Sequence, residues 1–132
     1  MDCICYGKTG KPRHSSMVGQ IESHVSKQGV TAVREFTVFN KEKYVGAIDL
    51  FLTDGMTRIA VEVEFSADRV PADLIKANLA CAHQLLIVVP NYRVKQAINR
   101  KLQKHSARTN TLVFIQYLSE ALEQLTVNFA PA

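Results

Sequence analysis

The sequence predicts an α/β fold in which helices flank a mixed central sheet. Three observations predict it. Three strand-like runs follow one another between residues 30 and 66, separated by polar and Asp-Gly turns. Two later runs, QLLIVV and TLVFIQY, are apolar on every side, as buried parallel strands are. Segments of helical periodicity precede, separate and follow these runs.

Residues 1–13 are aperiodic and read as a leader segment. GKTGK within it lacks the spacing of a phosphate loop, and Cys3, Cys5 and His14 lack a fourth zinc ligand. HSSMVGQIESHVSKQG is the first helix. Ser15 or Ser16 can cap it, Met17, Val18, Ile21 and Val25 form its apolar stripe, and Gly29 ends it. VTAVREFTVF is the first strand, Tyr44 to Leu52 the second, and RIAVEVEF the third, with TDGMT as the turn between the last two. ADRVPADLIKANLACAH is the second helix, started by Pro71, with Leu74, Ile75, Leu79 and Ala82 expected inside. The run ending at Pro90 is a fourth strand, reached by a helical crossover. NYRVKQAINRKLQKHSAR is a third helix with Val94, Ile98 and Leu102 inward, followed by a fifth strand to Tyr117 and a short closing helix, SEALEQL.

The whole is read as one domain over residues 14–132, of ordinary globular composition at 47% hydrophobic and 21% charged residues. No apolar run approaches a membrane span, and the N-terminus lacks the apolar core of a secretion signal. Three cysteines, an odd number, argue against a disulfide framework and for a cytoplasmic location. The net charge of +4 hints at an anionic partner. Its distribution says more. The third helix carries Arg93, Lys95, Arg100, Lys101, Lys104 and Arg108 and no acid, which reads as a solvated basic face or as a track for a phosphate backbone. Lys8, Lys11 and Arg13 could add to it.

The acids of the second and third strands carry the chemistry. Alternation along the third strand puts Ile59, Val61, Val63 and Phe65 on one face and Glu62 and Glu64 on the other. Two acids on one strand face repel unless a cation lies between them. Asp49 is the more telling residue, because Ala47, Ile48, Leu50 and Phe51 surround it and an unpaired acid there is costly. Glu22 borders the apolar stripe of the first helix and could aim a fourth carboxylate at the group.

This layout, with Asp49 in VGAIDLFL and Glu62-Val63-Glu64 in RIAVEVEF, resembles the PD-(D/E)XK nuclease superfamily over residues 14 to 118. The resemblance implies a restriction-endonuclease-like αβββαβ core and metal-dependent hydrolysis of phosphodiester bonds in DNA. Asp49 matches the first acid of the family signature and Glu62 the first residue of its acid-x-Lys tripeptide; Glu22 is placed like a first-helix acid of some members. Ile48 precedes Asp49 in place of proline. Glu64 stands where the tripeptide has lysine, and in some branches that lysine comes from the following helix, where Lys76 sits. The resemblance thus implies Mg²⁺ or Mn²⁺ held by Asp49, Glu62 and the Val63 carbonyl, with Glu22 and Glu64 serving a second ion. Catalysis would fall to Asp49, Glu62, Glu64 and Lys76. Small nucleases of this kind commonly dimerise, so DNA, a second copy and protein partners in a DNA-processing complex are the implied partners. Glu64 in the lysine position also favours a competing expectation: a catalytically inactive nuclease-fold module that binds nucleic acid or protein.

Overall fold

A computed structural model describes residues 10–105 and 109–131. Its elements run α1 (Gly10–Ser26), β1 (Thr31–Asn40), β2 (Lys43–Thr53), β3 (Arg58–Val63), α2 (Val70–Leu79), β4 (Gln84–Val89), α3 (Tyr92–Lys104), β5 (Leu112–Tyr117) and α4 (Leu118–Asn128). The five strands form one mixed sheet in the order β1-β2-β3-β4-β5. The first three are antiparallel, and β3, β4 and β5 run parallel, so the α/β reading and the crossover both hold. No helix among the described residues is long and apolar enough to cross a membrane. Lys8, Arg108, Cys3 and Cys5 lie outside the described residues.

Two apolar cores sandwich the sheet. One lies under α1 and α4, where Ile21, Val25, Ala121 and Leu125 meet Leu50, Leu52, Ile59, Val61 and Leu86. The other lies under α2 and α3, where Val70, Ala77 and Ile98 meet Ile48, Phe51, Ala60, Leu85 and Ile87. β4 supplies both cores from alternate residues, which is why it reads as an unbroken apolar run.

Two expectations need correction. The first helix starts at Gly10, so the leader does not extend to residue 13. The inward face of α2 is also wider than expected: Leu74, Leu79 and Ala82 do pack on the core, but Ile75 is 55% exposed, and Asp73 and Lys76 are buried beside Val70 and Ala77. Val70, Asp73 and Ala77 follow the i, i+3, i+7 spacing of a single stripe, so an acid occupies a core position. Cys81 is exposed just beyond the helix with φ +56°.

Candidate active site: a lysine-bound carboxylate cluster

The β2–β3 pair is regular from Thr53–Arg58 to Leu50–Val61, and the turn that closes it explains why. Asp54 Oδ1 accepts from the Met56 and Thr57 N–H groups at 2.9 and 2.8 Å, and Gly55 takes φ +96°. Beyond Leu50 the ladder ends and side chains take over. Asp49 Oδ2 accepts from the Val63 N–H at 2.8 Å, and Glu62 Oε1 accepts from the Asp49 N–H at 3.2 Å. On the other flank Glu35, at φ +49°, falls opposite Asp49 between the Arg34–Leu50 and Phe36–Ile48 pairs. A non-glycine residue in the left-handed region marks a break in the strand. Ile48 and Leu50, two residues apart, consequently pack into opposite cores. The backbone is thus re-aimed at Asp49, and Asp49 and Glu62 line the same cleft.

That cleft, of about 350 Å³, is lined by His14, Asp49, Glu62, Val63, Glu64, Phe65, Ser66 and Arg69. Lys76 reaches Glu62, in the wall of the cleft, from α2. Its Nζ is 2.8 Å from Glu62 Oε2 and 3.4 Å from Asp73 Oδ1, and it donates to the Ala47 carbonyl at 2.6 Å. Gly46 lets the lysine stem pass, since a Cβ there would sit 3.1 Å from Lys76 Cδ. Glu62, Asp73 and Lys76 are all at most 4% exposed. Ligand atoms of Glu62, Glu64 and Asp73 lie within 4.8 Å of one another, so this buried acidic cluster could hold a metal ion.

The electrostatics follow from burial and crowding. Burial, then the charges of Asp73 and Asp49, pushes Glu62 up to about 8 against the pull of Lys76. Burial, then its hydrogen bond with Glu64, pushes Asp73 up to about 9. Burial also raises Glu64. For Lys76, burial works downward, and the charges of Glu62 and Asp73 outweigh it and leave the ammonium raised. The cluster therefore holds one cation, Lys76, beside Glu62, Glu64 and Asp73, whose burial favours the protonated form. His14 Nε2 is 3.0 Å from Asp49 Oδ2, and this hydrogen bond raises the imidazole.

Glu22 does not join this group. It is bound to Arg34 at 2.7 Å and lines a separate surface cleft with Ser23, His24 and Lys27. An arginine on the neighbouring strand captures it. Of the basic residues on α3, Arg93, Arg100 and Lys104 are exposed and Lys101 is half-buried. Lys95 lies over the Tyr117 ring at 4.6 Å and 3.8 Å from Glu120. None of them lines the carboxylate cleft. The helix leaves the end of β4 and runs back along the sheet, so its last turn is about 16 Å from its first.

Sequence reasoning missed Asp73, His14 and Arg69. Asp73 left a signal, an acid three residues before a lysine on a stripe otherwise filled by Val70 and Ala77. His14 sat at the start of the expected helix beside two cysteines, which drew attention to zinc instead. No family model matches this chain, and no curated protein matches it either.

Proposed function

We propose that the chain is a metal-dependent nuclease that hydrolyses phosphodiester bonds in DNA, with a restriction-endonuclease-like core. One observation carries this reading: Lys76, from the helix after β3, places its ammonium 2.8 Å from Glu62 in the wall of a cleft that Asp49 shares. An acid pair with a lysine from that helix supplies what acid-x-Lys supplies when the tripeptide itself ends in glutamate.

The clustered carboxylate oxygens of Glu62, Glu64 and Asp73 suit Mg²⁺ or Mn²⁺, which take hard oxygen ligands. Asp49 and Glu62 would hold the ion, with the Val63 carbonyl and Glu64 beside them. When bound, the ion offsets phosphate charge and acidifies water. The chain's own groups do the rest. Lys76 orients the nucleophile and stabilises charge developing on the phosphoryl oxygens. His14 and the Val63 N–H fix the Asp49 carboxylate. Arg69, at the rim, is placed to take a neighbouring phosphate.

A second reading rests on a specific feature. The Lys76 ammonium already lies 2.8 Å from Glu62 Oε2 and donates to the Ala47 carbonyl, so the cluster is part-compensated without a metal. On that reading the chain is a binding module within a DNA-processing assembly. Cleavage assays in Mn²⁺ on supercoiled, linear and branched DNA separate the two. Cutting that is lost in Asp49→Ala supports the nuclease; binding without cutting on every substrate supports the module.

A further inference from the structure

A second groove lies beside the carboxylate cleft. It is lined by Arg13, Met17, Val89, Pro90, Tyr117 and Leu118, with Ser119 at its exposed rim, and has a volume of about 330 Å³. Three features connect it to the cleft. Its floor, Val89 and Pro90, continues the strand whose Val88 carbonyl accepts from Glu64 N–H at 2.9 Å. The floor is therefore one strand spacing, ~5 Å, across from Glu64 and ~3–7 Å further along. The Arg13 guanidinium stands 5.9 Å from the ring centroid of Phe65, a residue of the cleft wall. Finally, α1 feeds both depressions, His14 entering the cleft while Arg13 and Met17, one turn apart, line the groove.

The groove's chemistry selects its occupant. Aliphatic, proline and tyrosine surfaces form its walls, Gln20 and Ser119 are its uncharged polar lining residues, and among the described residues Arg13 is its one charged lining residue and no acid lines it. A phosphodiester cleft continued by an apolar slot, with a guanidinium between them, fits a strand whose phosphate crosses Arg13 and whose base leaves the stack to enter the slot. A paired base cannot do this.

Resting on the nuclease reading above, we propose that this groove binds an unpaired nucleotide next to the scissile phosphate. The enzyme then prefers frayed, forked or single-stranded DNA to continuous duplex. Arg13 holds the phosphate between cleft and groove, and the far turns of α3 contribute little to gripping that strand.

The test measures binding by fluorescence anisotropy in EDTA, with a labelled oligothymidylate and a blunt duplex of equal length. The proteins are wild type, Arg13→Ala, Ser119→Trp, which fills the slot from an exposed position, and Lys101→Ala/Lys104→Ala. Arg13→Ala should weaken oligothymidylate about tenfold and lower the salt slope by about one. Ser119→Trp should weaken oligothymidylate about tenfold and leave duplex unchanged. Equal loss on both probes, or loss confined to Lys101→Ala/Lys104→Ala, overturns the groove and leaves the cleavage reading standing. Cleavage of duplex in a parallel assay with Mn²⁺ by a wild type that binds no oligothymidylate also overturns the groove alone. A wild type that neither binds either probe in EDTA nor cuts either in Mn²⁺ overturns both.

Discussion

The two halves of the β2–β3 pair use the same strands for opposite ends. Toward the Asp54-Gly55 turn the pairing is regular, and Leu50, Leu52, Ile59 and Val61 interlock in one core. Toward the other end, one residue beyond Leu50, carboxylates replace carbonyls as acceptors for the Asp49 and Val63 N–H groups. The first half is stabilised by apolar burial and has nothing to exchange with a ligand. The second buries acids at a cost, met in part by one ammonium. Stability and chemistry are thus separated within a few residues, and variants on the two sides should behave differently.

The largest contrast is in activity. Asp49→Ala should slow cleavage by on the order of a thousandfold while barely moving the melting temperature. Leu52→Ala should do the reverse, losing about 2–5 kcal/mol of stability and keeping its rate at low temperature. Cleavage kinetics and denaturant melts on both proteins check this.

Next comes the pair at the centre of the cluster. Above pH 8, where Glu62 is ionised, Lys76→Met leaves that charge buried beside further acids and should cost about 3–5 kcal/mol. Adding Glu62→Gln should recover much of that loss, because neither partner is then charged. If the two losses simply add in denaturant titrations, the ion pair is not what holds the cluster.

A pH series sharpens the comparison further. Glu62 and Asp73 keep their protons in the folded chain up to about 8 and about 9, well above the ordinary carboxylate range. The folded state then binds more protons than the unfolded one. Stability is full below that ordinary range and declines as pH rises toward 8 to 9. Glu64, His14 and Lys76, all raised, act with the same sign. A divalent ion displaces the carboxylate protons, so stabilisation by Mn²⁺ should grow with pH. Melts with and without MnCl₂ across this range would show a flat difference if the cluster binds no metal.

The smallest effect is at Gly46. Gly46→Ala pushes its methyl against the Lys76 stem, whose flexibility absorbs most of the clash. The expected cost is about 1 kcal/mol, with a several-fold fall in cleavage from a displaced ammonium.

Much of this was legible in the sequence, for reasons that differ by element. The Asp-Gly turn and the alternation from Ile59 to Phe65 identified the hairpin and the acid face of β3, because turn chemistry and a period of two are local properties. The unbroken run QLLIVV identified a parallel strand fed from both faces. The orientation of α2 was legible in part. Leu74, Leu79 and Ala82 do pack on the core, but Ile75 points out, and the burial of Asp73 and Lys76 depends on the Glu62 carboxylate that Lys76 meets on β3. The reach of Lys76 to Glu62 was expected only through family resemblance. Glu22 shows the converse, a plausible acid taken by Arg34, whose nearness depends on how α1 lies across β1. His14 required the helix to start ahead of it, at Gly10, and not at the caps read at Ser15 or Ser16.

The account stands or falls on whether Asp49 and Glu62 share a divalent ion. Titrating Mn²⁺ into the wild type and Asp49→Ala by calorimetry tests this most directly. Saturable binding with proton release in the wild type, weakened at least tenfold in the variant, is the predicted result. Equal affinity in both proteins, or no binding in either, would contradict it.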